Sequence, residues 1–135
     1  MTTDIASLKQ RVCQEIDRRR EDLVAVAEDL WRRPELGYKE HYAAQLVANQ
    51  FKALGVPYRE GLAFTGVKGR VKGGAFGPTV AIMGELDAVV NFGHPDADPQ
   101  TGAVHACGHH CQIASMLGAA FGLLGAEALP ALAGE

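Results

Sequence analysis

Several things this chain lacks narrow what it can be. It has no large surplus of charge: 13 Lys and Arg against 16 Asp and Glu leave a net charge of −3 in 135 residues. A field that weak gathers neither nucleic acid nor an anionic lipid surface, so neither is expected as a partner. No apolar run is long enough to span a bilayer, which removes a membrane helix from consideration. There is no internal repeat and no low-complexity tract. Cysteine is scarce and odd in number, and Cys13, Cys107 and Cys111 lack the regular spacing of a disulfide framework. Met1-Thr2-Thr3-Asp4 leads straight into an amphipathic pattern with no secretory leader, so a reducing cytoplasm is the expected setting.

What remains reads as one small domain, because 135 residues with 47% hydrophobic and 21% charged residues suit a single core rather than two. Leu8, Val12, Ile16, Leu23, Val26 and Leu30 recur at helical steps and predict one long helix, with Thr3 or Asp4 capping its start and Pro34 stopping it. The run Arg18-Arg19-Arg20-Glu21-Asp22 is read as a solvated face. Ala43, Leu46, Val47, Phe51 and Leu54 predict a second helix ending at Gly55. Three segments with strand character follow, at 56–59, 66–71 and 79–86. The last two are expected to form a hairpin across Gly73-Gly74-Ala75-Phe76-Gly77-Pro78. Thr79-Val80-Ala81-Ile82-Met83 suggests a strand covered on both faces. Residues 89–102 read as a surface loop, and a third helix is expected from His109 or His110 to Gly125, with Gly118 and Gly122 letting it lie close to a sheet.

The densest chemistry lies at His105-Ala106-Cys107-Gly108-His109-His110. A thiol and an imidazole two residues apart point the same way where a strand runs out, and Gly108 lets the backbone turn between them. Cys107 and His109 are therefore the candidate metal ligands. A catalytic site normally needs at least three protein donors with one position open. The further candidates are Glu85 and Asp87 on the preceding apolar run, His105, His110 and Cys111 around the turn, and His94, Asp96 and Asp98 in the loop.

Five stretches in order resemble the family of metal-dependent amidohydrolases and carboxypeptidases that includes aminoacylases, hippurate hydrolase, indole-acetyl-amino-acid hydrolases and p-aminobenzoyl-glutamate hydrolase. They are Trp31-Arg32-Arg33-Pro34-Glu35-Leu36-Gly37 with Glu40, Thr65-Gly66-Val67, Gly77-Pro78-Thr79-Val80-Ala81, Glu85-Leu86-Asp87-Ala88 and His105-Ala106-Cys107-Gly108-His109. The resemblance implies an α/β fold: a mixed sheet between helices, as in zinc-peptidase catalytic domains. Residues 1–135 would be its N-terminal portion in helix-helix-strand-hairpin-helix order, without the dimerisation domain or the C-terminal part. It implies two divalent ions, zinc, manganese, cobalt or nickel, held in part by Cys107 and His109, with Asp87 as the outer carboxylate that orients the site. His110, Glu85 and His105 are possible accessory groups.

The implied reaction is hydrolysis of an amide bond in an N-acyl amino acid or short peptide, with metal-activated water and a general-base glutamate. That glutamate is missing, Glu85 and Glu135 being only weak candidates for its role, so the chain alone is expected to be inactive or nearly so. Two departures from the family pattern bear on the pocket wall: His110 stands where aspartate is usual, and Gln112 where histidine is common. An interrupted sheet would leave an open edge, which predicts a homo-oligomer or a complementing C-terminal segment as partner. Two other readings compete. One is a binding or assembly module of the same fold without chemistry; the other is a closed structural zinc site using Cys107, His109, Cys111 and one more donor.

Overall fold

The computed structural model describes residues 4–135, which places the candidate cap Thr3 outside the described residues. Asp4 caps α1 (Ile5–Arg18), its carboxylate accepting from the amides of Ala6 and Ser7. The expected single long helix is in fact two. The chain departs from helical geometry at Arg19 and resumes as α2 (Arg20–Trp31). The break serves the packing of α4 (His109–Gly125), which lies against both segments. A Cβ at Gly122 would fall 2.9 Å from side-chain atoms of Val12 and Ile16 in α1, and one at Gly118 would fall 3.2 Å from Leu23 in α2. The two glycines therefore admit helices where a sheet was expected. Arg19 fills the corner, its guanidinium 4.4 Å from the centre of the Phe121 ring.

α2 ends three residues before Pro34, as expected, and α3 (His41–Ala53) follows after the Pro34–Lys39 turn. The residue preceding α3, Glu40, provides no side-chain cap. The cap comes from Glu35 instead, whose carboxylate accepts from the amides of Tyr42 and Ala43, both at 2.9 Å. At the other end Gly55 takes a left-handed φ of 68°, the Val56 amide donates to the Phe51 carbonyl and the Gly55 amide to the Lys52 carbonyl. This is the Schellman arrangement that a glycine just past the helix permits. The core joins these helices through Val26, Leu30, Ala43, Val47, Phe51, Val56, Ile113 and Leu117.

The strands depart further from expectation. β1 (Tyr58–Leu62) pairs antiparallel with β2 (Gly66–Gly69), so the hairpin lies one segment earlier than predicted. Its tight connection requires left-handed backbone at Ala63 and Phe64. Thr79–Met83 forms no ladder and is exposed throughout, whereas a strand covered on both faces was expected. The stretch is tethered instead at its start. Val80 donates to the Glu135 carbonyl, Glu135 to the Pro78 carbonyl and Gly73 to the Gly134 carbonyl, with a parallel bridge between Ala75 and Ala133. β3 (Val89–Val90) and β4 (Ala103–Val104) form a second antiparallel pair flanking the loop 91–102. The fold is mixed α/β, compatible with the N-terminal portion of a peptidase-like domain. No helix among the described residues is long and apolar enough to cross a membrane.

Candidate metal centre

Three elements converge on His109. It opens α4 directly after Gly108, which adopts a left-handed φ of 91°, the sharp turn expected between Cys107 and His109. The run Glu85–Ala88 lies alongside, held at one end by a parallel bridge from Leu36 to Ala88 and by the Ala88 amide donating to the Glu35 carbonyl at 2.7 Å. Gly84 brings this run close to α4, since a Cβ there would sit 2.9 Å from Cδ1 of Ile113 and 3.3 Å from the carbonyl carbon of Gln112.

The imidazole of His109 is gripped at both nitrogens. Nδ1 is 2.8 Å from the Asp87 carbonyl oxygen and 3.0 Å from Asp87 Oδ1. With two oxygens beside it, Nδ1 is the nitrogen that donates toward Asp87. A carboxylate or carbonyl on the far nitrogen is the usual way a ligating histidine is oriented, and Asp87 occupies that place. Nε2 faces Glu85, with Oε2 at 2.9 Å. The ring thus lies between two carboxylates, Asp87 at one nitrogen and Glu85 at the other. Cys107 is exposed, and no hydrogen bond joins its thiol to the ring. Among the described residues no group of three or more His, Cys, Asp or Glu side chains is placed to hold a metal ion.

The other candidates fall into two sets. His105 and His110 form an aromatic string with Trp31 in which only His105 is fully buried: the His105 and His110 rings are 5.4 Å apart, and Trp31 meets His110 edge-on at 5.1 Å and His94 at 6.1 Å. Nδ1 of both His105 and His110 is buried without a hydrogen-bond partner among the described residues. Burial, then the positive fields of His110 and His109, push the His105 imidazole down to about 4, and burial lowers His110 as well. Both rings are neutral at pH 7. Cys111 sits 3.3 Å from His110 Nε2 on the exposed side of α4. In the loop, Asp98 accepts from Gln100, Thr101 and the Thr101 hydroxyl, and the Asp96 amide donates to His94 Nδ1. Asp98 is thus occupied in shaping the turn.

Two residues whose contacts sequence reasoning did not foresee belong to this region. Gln112 reaches Glu85 with both ends of its amide, Nε2 donating to the carboxylate at 3.2 Å and Oε1 accepting from the Glu85 amide at 3.3 Å. Its position three residues after His109 places both on one face of α4, and that spacing was the available signal. Trp31, quoted only as part of a motif, forms the wall beside His110.

No family model and no solved structure matches the chain. Curated proteins do match. The chain is 34% identical over 103 residues to thermostable carboxypeptidase 1 of Saccharolobus solfataricus, covering 73% of the chain and 26% of that protein. It is 36% identical to IAA-amino acid hydrolase ILR1-like 5 of Arabidopsis thaliana, covering 73% of the chain and 23% of the relative. It is 32% identical to N-acetyl-L-cysteine deacetylase of Bacillus subtilis, covering 73% and 24%. The chain spans about a quarter of the length of the curated relatives it matches.

Proposed function

For a chain that is thus a relative of the amidohydrolases and carboxypeptidases, we propose a part in metal-dependent hydrolysis of an amide bond in an N-acyl amino acid or short peptide. The observation that carries this reading is the His109 ring, its Nδ1 held by Asp87 and its Nε2 facing the Glu85 carboxylate. Relatives named for hydrolysis of amino acid conjugates and deacetylation of an N-acetyl amino acid support the choice of substrate. In this reading His109 and Cys107 hold zinc, manganese, cobalt or nickel in a two-ion site, and Asp87 fixes the ring's tautomer. The chemistry such an ion supplies when bound is polarisation of the amide carbonyl and activation of water. Cys107 has to turn toward His109 to join it, which its exposed position at the turn before Gly108 permits. The uncharged rings of Trp31, His105 and His110 would form one wall of the site.

Residues 1–135 are read as the N-terminal part of the catalytic domain, working in a reducing cytoplasm. They contain no glutamate placed as general base, so the chain by itself is expected to hydrolyse slowly or not at all. The exposed apolar side chains Phe76, Val80, Ile82 and Met83 favour a homo-oligomer or a complementing segment. Metal analysis after dialysis tests the site: the chain is expected to retain a divalent ion that Cys107→Ser weakens and His109→Ala abolishes. Equal metal content in wild type and His109→Ala would overturn the assignment. Light scattering that finds only monomer would remove the oligomer.

A further inference from the structure

The outer face of the β1–β2 hairpin carries a row of positive charge that little in the chain answers. Along β2 and the residues after it, Val67 and Val71 pack toward the core, while Lys68, Arg70 and Lys72 alternate with them and are exposed. The Arg70 amide donates to the Pro57 carbonyl at 3.0 Å, so the pairing runs past Gly69. The register sets Arg59 of β1 directly opposite Lys68. Like charges facing each other across two strands are destabilising, and a carboxylate between them would remove that cost. Among the described residues Arg59, Lys68 and Lys72 make no ion pair, and Arg70 has one, with Glu135. Glu60, the acid next to Arg59, lines a hollow with His41, Ala44 and Gln45 on the α3 side.

The arginines near the α1–α2 break differ, since Arg18 and Arg19 are paired with Glu15 and Asp22. Between Pro57 and Gly84 the sequence has four cationic residues and one acidic one, whereas the rest of it has nine Lys and Arg against fifteen Asp and Glu. A long polyanion or an anionic lipid surface would extend past the row and meet that negative remainder, but a short anionic chain would not. Outward side chains on a strand follow one another at about 6.6 Å, and so do alternate residues of a second extended chain. Carboxylates at every other position of a peptide therefore fall beside Lys68, Arg70 and Lys72 in turn. The Glu135 carboxylate on Arg70 is one such contact made within the chain. We infer that this face is a docking surface for an extended acidic segment of a partner protein, its alternate carboxylates meeting Arg59, Lys68, Arg70 and Lys72. The inference is independent of the metal reading at His109.

The test is fluorescence anisotropy of the whole 135-residue chain with a labelled peptide in which glutamate alternates with threonine. Binding is expected at low salt and should weaken by about 10-fold between roughly 20 mM and 300 mM salt, because exposed charges are screened. Arg59→Glu combined with Lys68→Glu is expected to weaken it by about 10-fold or more. Lys9→Glu combined with Arg11→Glu makes the same charge change on α1 and should leave it within about 2-fold. Arg59→Lys with Lys68→Arg keeps the charges and should keep the binding. Arg59→Glu alone places opposite charges across the strands, so it is expected to raise the melting temperature at low salt while weakening the peptide, which separates lost docking from lost folding. No binding to wild type, equal loss in the two charge-reversed pairs, or tighter binding of an oligothymidylate of equal charge would each overturn the inference. So would self-association of the chain that Arg59→Glu with Lys68→Glu abolishes, since the face would then belong to a second copy.

Discussion

The helical part of the molecule and the extended stretch from Gly73 to Met83 are both rich in apolar residues, yet they treat them in opposite ways. In the helices Leu30, Val47, Ile113 and Leu117 are almost wholly buried, while Phe76, Val80, Ile82 and Met83 stand in solvent. The difference lies in how each element satisfies its backbone. A helix closes its hydrogen bonds within itself, so four helices can assemble a core from whatever length of chain supplies them. A strand must borrow both its backbone partners and the cover for its two faces from neighbouring chain. Here only the start of the stretch has partners, from Leu129 and residues 133–135.

The largest test of that contrast is a pair of truncations. Leu117→Ala should cost about 2–5 kcal/mol, because the side chain is fully buried between α2, α3 and the rest of the core. Ile82→Ala should change stability by no more than about 0.5 kcal/mol, as at an ordinary exposed position. Urea denaturation measures both. A loss well above 1 kcal/mol for Ile82→Ala, growing with protein concentration, would mean that another chain covers this stretch in solution.

A second test asks what ties the β1–β2 hairpin to the helices. The Thr65 hydroxyl donates to Glu40 Oε2 at 2.6 Å, and both residues are buried. Burial alone would raise the Glu40 carboxyl, but the Thr65 hydroxyl and the backbone amides of residues 40 and 38 outweigh it and hold it below its ordinary value. Thr65→Val removes the donor and leaves a buried charge underserved, at a cost of about 1.5–3 kcal/mol. Thr65→Ser keeps the hydroxyl and should recover most of it. If valine proves neutral, the hairpin is held by packing alone.

How much of this was legible beforehand follows the same division. Helical periodicity located α3 and α4 to within a residue or two, and Gly55 and Gly108 were recognisable as turns because their left-handed φ values suit glycine. The break at Arg19 was not, since the apolar stripe continues across it and only the closeness of α4 to both segments demands it. For strands, an apolar run records a tendency to be covered and does not say by what. The hairpin was therefore placed one segment late, and Thr79–Met83 was expected inside. At the site, His109 and Asp87 stood out by residue type and motif, and they meet in space. The role of Gln112 depends on α4 lying beside residue 85, a tertiary fact with only a helical spacing to hint at it.

A third test lies where β4 runs into the α4 turn. His105 is 2% exposed, and its imidazole is lowered from an ordinary 6.5 to about 4, by burial first and then by the neighbouring His110 and His109. Between those values the unfolded chain binds a proton that the folded chain refuses. Stability is therefore fully present above about pH 6.5 and falls as pH drops toward about 4, by at most about 1.4 kcal/mol per pH unit for this one group. His110, lowered in the same direction, adds to the slope, whereas Thr79–Met83 carries no titratable side chain and contributes nothing. Unfolding free energies in chelator at half-unit steps, wild type against His105→Gln, separate this from carboxylate titration common to both. The wild type should lose stability faster below pH 6.5. Parallel curves would mean that the ring gains a partner or solvent when it charges.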